Sequence, residues 1–281
     1  MLERLWAELE EALLPVLRRY RSELASLRVQ EKADRSLLTE ADLEVERIII
    51  SAIRRYDPGA RIVAEESGST NGDASTDADG SRAWVVDPID GTAEFVDVSR
   101  SEFCSVVCLL EDGEPRAAYV LAPELGVGRS ALSFVVDRTE ASVKVNGSFA
   151  RAPAMAARWA SVTRSKGTPS RAFEEGLQGM GLDLKTRTTS QTIDMLRTAV
   201  DLDPYSDLEP AAFRLFYREQ QKVWDGAAGI CAGAAMGMLA VGPDGHPRTP
   251  VDPSFLRLAE PTFDATVMGE PGAVAWLLEN L

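Results

Sequence analysis

The stretch Val85-Val86-Asp87-Pro88-Ile89-Asp90-Gly91-Thr92 is the most informative part of this sequence. The apolar run Ala83 to Val86 predicts a buried strand that ends at Asp87. Pro88 stiffens the following turn, so that Asp87 and Asp90 can face one point with the Ile89 carbonyl between them. Such a group of oxygens predicts a metal site, although Asp90 could instead serve only as a helix cap.

The residues after Asp90 suit a phosphate. Gly91 lets an anion approach the backbone, and the helix start at Thr92 offers free N–H groups to it. The Thr92 hydroxyl would lie beside the metal, where it could orient a water molecule. The turn therefore predicts a phosphate next to a cation.

Two further acidic groups follow apolar runs. Glu65-Glu66 come directly after Ile62-Val63-Ala64, and Asp225 opens a helix after Val223-Trp224. Carboxylates buried together repel one another unless a cation neutralises them. Oxygen ligands without histidine or thiolate point to Mg²⁺ rather than to zinc.

Composition excludes several classes of function. The chain has 281 residues, 45% of them hydrophobic and 26% charged, and a net charge of -14. This charge opposes binding to nucleic acid or to anionic membranes, and no apolar run has the ~20 residues that cross a bilayer. The single histidine, His246, lies in a turn-like segment, which disfavours Ser-His and Cys-His catalysis. The three cysteines match no metal or redox spacing, so we expect reduced thiols in a cytoplasmic protein.

Periodicity predicts a mixed α+β half followed by an α/β half, which we divide into domains 1–155 and 156–281. The first half should hold the metal and phosphate site, and the second half Asp225 and the residues on the substrate side. The predicted elements are a helix from Leu2 to Leu27, a polar link from Glu31 to Leu38, a helix capped by Thr39 that ends near Tyr56, a mobile loop from Gly68 to Ser81, a hairpin from Phe103 to Leu121, a strand from Ala212 to Tyr217 and a helix from Trp224 to Val241.

Three motifs together resemble the inositol monophosphatase superfamily. They are the Val-Val-Asp-Pro-Ile-Asp-Gly-Thr stretch, Ala-Glu-Glu-Ser at 64–67 and Val-Trp-Asp-Gly-Ala-Ala-Gly at 223–229. The resemblance extends from about Glu31 to Gly245. It implies a layered α/β/α/β/α sandwich of the inositol monophosphatase/fructose-1,6-bisphosphatase type, two or three Mg²⁺ per site, and hydrolysis of a phosphate monoester by metal-activated water. It also allows a homodimer.

The resemblance implies a role for each matching residue. The metal ligands would be Glu65, Asp87, the Ile89 carbonyl, Asp90 and Asp225, and the phosphate would bind at Asp90, Gly91 and Thr92. Glu65 and the pair Thr92 and Asp42 would take part in catalysis, with that pair activating the water. Asp42 has an alternative interpretation, because Thr39-x-x-Asp42 is also a capping box. Roles for Glu66 and Lys32 in the site are left open.

Within the superfamily the chain looks most similar to the 3'(2'),5'-bisphosphate nucleotidases. The similarity lies in Asp-Gly-Thr-Ala-Glu-Phe at 90–95, Ser-Glu-Phe at 101–103 and Leu-Ala-Pro at 121–123. It implies a 3'-phosphorylated nucleotide substrate such as 3'-phosphoadenosine 5'-phosphate. Polar side chains available for it are Ser165, Lys166, Ser190, Tyr217 and Arg218, which could equally be solvated loop groups.

Two departures affect the substrate side. Ala93 stands where the nucleotidases have lysine, and Thr-Thr-Ser-Gln-Thr-Ile-Asp at 188–194 replaces a Gly-Ser-Ser loop. Inositol, cyclitol or sugar monophosphates are therefore alternative substrates, and a non-catalytic regulator of the same fold is a further alternative. The aspartates of the motif are three apart, which excludes the Asp-x-Asp mechanism of haloacid-dehalogenase phosphatases.

Overall fold

The computed structural model describes residues 2–31, 37–70, 82–154, 157–164 and 167–281. The helices are α1 (Leu2–Ser22), α2 (Glu40–Tyr56), α3 (Thr92–Phe95), α4 (Ala172–Gly179), α5 (Gln191–Ala199), α6 (Val223–Ala235) and α7 (Pro271–Asn280). The strands are β1 (Val29–Glu31), β2 (Leu37–Thr39), β3 (Arg61–Ala64), β4 (Gly68–Thr70), β5 (Arg82–Asp90), β6 (Cys104–Glu111), β7 (Glu114–Ala122), β8 (Leu132–Asp137), β9 (Ser142–Val145), β10 (Ser148–Phe149), β11 (Trp159–Arg164), β12 (Asp183–Arg187), β13 (Leu215–Lys222), β14 (Leu239–Val241) and β15 (Thr262–Gly269).

The strands from β3 to β15 form two sheets. The first has the order β10-β9-β8-β7-β6-β5-β3-β4, and the second has the order β12-β11-β13-β15-β14. In the first sheet β3 pairs with β5 in parallel, whereas β5 and β6 are antiparallel. In the second sheet β11 is parallel to both β12 and β13. The ends of β3 and β5 therefore lie at the same edge, which is where the acidic motifs begin.

Strand β5 shows how the layers form. Trp84 and Val86 pack against the buried faces of α1 and α2, while Val85 packs with residues of α5 and α6 on the other side of the sheet. Successive side chains of a strand point to opposite faces, so a continuous apolar run fits a sheet that is covered on both sides. Helix α6 contacts strands of both sheets. On the far side of the second sheet, α4 and α7 cover a third apolar cluster.

The order of layers is therefore α1 and α2, the first sheet, α5 and α6, the second sheet, and α4 and α7. This arrangement confirms the predicted α/β/α/β/α sandwich. The division into domains 1–155 and 156–281 remains a prediction, and residues 155 and 156 lie outside the described ranges. The apolar cluster around α5 and α6 includes residues of both sheets.

Several predicted elements are corrected. The helix predicted from Trp224 to Val241 ends at Ala235, and Leu239–Val241 is a strand that pairs with β15. Gly237 with its positive φ of 77° lies between them and turns the chain back. The predicted polar link from Glu31 to Leu38 begins and ends in short strands, because Val29–Glu31 and Leu37–Thr39 pair in antiparallel orientation.

Two other regions also differ. The start of the predicted mobile loop, Gly68–Thr70, is a strand paired with β3, and residues 71–81 lie outside the described ranges. The strand predicted from Ala212 to Tyr217 is shifted to Leu215–Lys222. Within the described part of the chain, no helix combines the length and hydropathy needed to span a membrane.

Candidate active site

Three carboxylates from distant parts of the chain meet at the edge of the first sheet. Asp87 and Asp90 lie at the end of β5, and Asp225 lies in the first turn of α6. One oxygen of each lies within 4.8 Å of the others, and Asp87 and Asp90 are buried. Only the packing of α6 between the sheets brings Asp225 to the other two.

The electrostatics of this group fit a bound cation. Burial, with the charges of Glu65, Asp90 and Asp225, raises the pKa of Asp87 well above its usual range. Burial, followed by the charges of Asp90 and Glu65, likewise raises the pKa of Asp225. The Asp87 Oδ1 atom is buried without a hydrogen-bond partner. A divalent cation would neutralise this repulsion and supply the missing partner, and a set of carboxylate oxygens suits Mg²⁺ or Ca²⁺.

Asp90 is held by the N-terminus of α5. Its Oδ2 accepts hydrogen bonds from the Ser190 hydroxyl and the Thr192 amide, both at 2.7 Å, and its Oδ1 accepts from the Gln191 amide at 3.2 Å. Burial raises the pKa of Asp90 to about 6, and these hydrogen bonds oppose the rise. Because the donors come from the second half of the chain, Asp90 joins both halves at the site.

This geometry changes the interpretation of two residues. Ser190 was predicted to contact substrate, but it is fully buried and supports Asp90. The alternative prediction, that Asp90 caps the helix after Gly91, does not fit the structure. The Asp90 oxygens accept hydrogen bonds from the N-terminal amides of α5 instead.

Thr92 and Asp42 form the predicted pair. The Thr92 hydroxyl lies 3.4 Å from Asp42 Oδ1 and 3.1 Å from the Ile89 carbonyl oxygen. Asp42 Oδ2 accepts from the Thr39 amide at 2.7 Å and the Thr39 hydroxyl at 2.6 Å, so the capping box is also formed. The two interpretations of Asp42 are compatible, since each oxygen serves one of them.

Gly91 is required by the backbone at the phosphate turn. Its φ is 90°, and a Cβ there would lie 2.9 Å from the Glu102 carbonyl oxygen. An L-residue would be strained by both effects. The turn starts α3 and places the Thr92 hydroxyl beside the Ile89 carbonyl at the end of β5.

Glu65 lies outside the tight group of three but close to it. Its charge contributes to the raised pKa of Asp87, and its amide donates to the Val86 carbonyl at 3.2 Å. Glu46, one turn after Asp42 on α2, accepts from the Glu66 and Ser67 amides at 2.9 Å each. The buried Glu46 carboxylate therefore fixes the turn that carries Glu65.

The structure separates the residues predicted for the substrate. Tyr217 and Arg218 are neighbours on β13 and point to opposite faces. Tyr217 packs on Phe173 of the outer layer and donates to Glu219 at 2.9 Å, away from the acidic group. Arg218 faces Asp225, whose charge opposes the lowering of its pKa by burial. Ser165, Lys166 and Lys32 lie outside the described residues.

A model of the inositol monophosphatase family matches residues 4–268. The chain belongs to this family. It is 39% identical to histidinol-phosphatase of Mycobacterium tuberculosis over 109 residues, which is 39% of either protein. It is 28% identical to the 3'(2'),5'-bisphosphate nucleotidase CysQ of Escherichia coli over 218 residues, 74% of this chain and 77% of that protein. The chain thus spans well under half of the first relative and most of the second.

Solved structures agree on the fold of this family member. The extragenic suppressor protein SuhB of Bartonella henselae superposes with a TM-score of 0.76 over 99% of this chain and 97% of that chain, at 18% identity. At this identity the likeness concerns the fold alone, and it agrees with the five layers described above.

The site also depends on a buried ionic network that the sequence did not reveal. Lys185 donates to Glu102 at 2.7 Å and to Asp194 at 2.6 Å, and Arg197 donates to Glu102 at 3.0 Å. Asp194 Oδ2 accepts from the Ser161 hydroxyl at 2.8 Å. Although burial opposes it, Lys185 and Arg197 hold the pKa of Glu102 below its usual range. The network ties α5 to the segment before β6 and so fixes the helix that holds Asp90.

Sequence analysis also missed two residues that contact the proposed site, Gln191 and Glu46. The Gln191 side chain donates to Asp225 Oδ2 at 2.5 Å, and nothing local in the sequence signals this contact. Glu46 did have a signal, because it lies four residues after Asp42 and therefore on the same face of α2.

Proposed function

We propose that this protein is a magnesium-dependent phosphatase that hydrolyses the phosphate monoester of a small metabolite, most readily a 3'-phosphorylated nucleotide such as 3'-phosphoadenosine 5'-phosphate. The enzyme class, a phosphoric monoester hydrolase, is supported by the family match and by the phosphatase names of its relatives. The observation that carries the proposal is the group Asp87, Asp90 and Asp225 next to the Thr92 and Asp42 pair.

In this proposal Glu65, Asp87, the Ile89 carbonyl, Asp90 and Asp225 hold two or three Mg²⁺ ions. When bound there, a divalent cation lowers the pKa of a water molecule and neutralises charge on the phosphate. The backbone amides of Gly91 and Thr92 hold the phosphate oxygens, and Asp90 keeps its position through α5.

Thr92 orients the attacking water. Its hydroxyl has one proton, which it can donate to Asp42 Oδ1 while its oxygen accepts a hydrogen bond from the water. Asp42 is fully buried, and its other oxygen is occupied by Thr39. Asp42 therefore acts through Thr92, and it takes up proton density from the water as the phosphorus is attacked.

Arg218 supports an anionic leaving group. Its Nη1 donates to the Thr188 hydroxyl at 3.0 Å, and its Nε is buried without a hydrogen-bond partner. A guanidinium whose charge interacts with that of Asp225 suits a second phosphate on the substrate. The CysQ relative is named as a bisphosphate nucleotidase, which agrees with this choice.

We also place the enzyme in the cytoplasm. Cys104, Cys108 and Cys231 are all free and buried, as expected for thiols in a reducing compartment.

We expect turnover to require a divalent cation. After exhaustive chelation the phosphatase activity should fall to background, and Mg²⁺ should restore it, while Li⁺ and Ca²⁺ should inhibit, because the proposed ligands are oxygens. Phosphate release from 3'-phosphoadenosine 5'-phosphate measures this. Full activity in the chelator would refute metal dependence, and no activity on any phosphate monoester with Mg²⁺ would favour a regulator of the same fold.

The second test concerns the substrate. We expect kcat/KM for 3'-phosphoadenosine 5'-phosphate to exceed that for inositol 1-phosphate. Arg218→Gln should lower the first value by about 10- to 100-fold, as loss of a charged hydrogen bond does, and change the second much less. The exposed Arg257 provides a matched control, and Arg257→Gln should leave both values unchanged. A kcat/KM for inositol 1-phosphate equal to or above that for the bisphosphate rejects the nucleotidase assignment and leaves the family assignment standing.

A further inference from the structure

Gln191 contacts two of the three clustered carboxylates. Its backbone amide donates to Asp90 Oδ1 at 3.2 Å, and its side-chain Nε2 donates to Asp225 Oδ2 at 2.5 Å. Gln191 is buried at the start of α5, where it is 8% exposed. One residue therefore links a carboxylate at the end of β5 to a carboxylate on α6.

The orientation of the Gln191 amide follows from chemistry. Asp225 must be ionised to bind a metal ion, and an ionised carboxylate only accepts hydrogen bonds, so the NH₂ group of Gln191 faces Asp225 in the metal-binding form. Its Oε1 then accepts from Gln221 Nε2 at 3.3 Å. Turning either amide around would bring two acceptors together, so the chain Gln221, Gln191, Asp225 has one consistent direction.

Gln221 is an unusual side chain for its position. It lies on β13, is fully buried, and contacts the Met195 sulfur at 3.4 Å, while its Oε1 has no hydrogen-bond partner. An unpaired buried acceptor is destabilising, so packing alone would favour an apolar residue here. The contact with Gln191 is the interaction that an apolar residue would lose.

We propose that Gln191 is a positioning residue for metal binding, and that Gln221 acts through it. The Gln191 amide fixes the orientation of the Asp225 carboxylate, one oxygen of which lies within 4.8 Å of Asp87 and Asp90. Its N–H donor also stabilises negative charge on Asp225 when the cation is absent. This inference rests on the proposed metal site, and it adds two neutral residues that the acidic motifs do not include.

The test is direct binding of Mn²⁺, which isothermal titration calorimetry measures in the absence of substrate. Gln191→Met keeps the length of the side chain and the backbone bond to Asp90 but removes the donor to Asp225. We expect about 10-fold weaker Mn²⁺ binding, the usual effect of losing a residue that orients a metal ligand. Gln178→Met, the same change at an exposed position of α4, should bind like the wild type.

Gln221→Leu separates positioning from stability. It should raise or preserve the melting temperature of the metal-free protein and still weaken Mn²⁺ binding several-fold, an effect that a structural role would not produce. In the Gln191→Met background the same substitution should weaken binding no further, because Gln221 acts through Gln191.

The outcomes distinguish this inference from the proposed function. If the wild type binds no Mn²⁺, the proposed metal site itself fails. If the wild type binds and Gln191→Met binds equally well, the positioning role is wrong while the metal site stands. Should Gln191→Met not fold, Gln221→Leu decides: weaker binding supports the role, and unchanged binding overturns it.

Discussion

Asp87→Asn is expected to lower kcat on the order of 10³-fold or more and, in the absence of metal, to stabilise the protein. The loss of activity follows because the substitution removes a proposed ligand of a cation that contributes several kcal/mol to the transition state. The gain in stability follows because Asp87 is buried with Asp90 and Asp225 and its Oδ1 has no partner. An amide has no charge to repel.

The stabilisation should depend on pH with a definite sign. The pKa of Asp87 is raised in the folded protein, so folding takes up a proton above the usual pKa of an aspartate. The free energy of unfolding of the metal-free protein therefore falls as pH rises above the usual pKa of an aspartate. Below that pKa Asp87 is protonated in both states and causes no loss of stability. Each pH unit between the usual pKa and the raised pKa adds up to about 1.4 kcal/mol to the advantage of Asp87→Asn, which then stays constant at higher pH.

Thermal unfolding in chelator at pH 5, 6, 7 and 8 measures this effect. The difference in melting temperature between Asp87→Asn and wild type should grow with pH and reverse when Mg²⁺ is added. Asp203→Asn, the same change at an exposed aspartate, should show no such trend. A variant with wild-type kcat at saturating Mg²⁺ would show that Asp87 is not a ligand.

Asp194→Ala is expected to cost about 3–5 kcal/mol of unfolding free energy, the usual effect of removing one partner of a buried ion pair. Asp194 is 1% exposed and accepts from Lys185 and from Ser161. Its loss leaves the buried Arg197 and Lys185 with Glu102 as their shared acid. The hydroxyl of Ser161 loses its acceptor as well.

Urea denaturation measures the loss as a lower midpoint with an unchanged slope. Because Asp194 lies on α5, whose first residues hold Asp90, activity should also fall in the fraction that remains folded. Asp203→Ala is the matched exposed control and should change stability by less than about 0.5 kcal/mol. A loss below about 1 kcal/mol for Asp194→Ala would show that the network contributes little to the fold.

Local chemistry in the sequence was enough to predict a mixed α/β chain with an acidic group at its strand ends, and the resemblance carried by three motifs added the layered fold and the Thr92 and Asp42 pair. Apolar runs that end in Asp87 or Glu65 locate the strands and their polar ends, because strand and helix periods are properties of neighbouring residues. Gly91 could be assigned for the same reason, since its positive φ is set by the turn itself. The capping box of α2 could be predicted from the four consecutive residues Thr39 to Asp42.

The side chains that the second half of the chain contributes to the site could be identified only from the tertiary structure. Ser190 and Asp90 are separated by 100 residues, and their contact turns a predicted substrate residue into a support for a carboxylate. Tyr217 lies on the face of the second sheet that α4 and α7 cover, and Arg218 lies on the face toward α5 and α6. The position of β13 between β11 and β15 determines this assignment. The contacts of Gln191 and Asp194 likewise join segments far apart in the chain. Such pairs leave no periodic trace in the sequence, since the packing of α5 and α6 between the two sheets creates them.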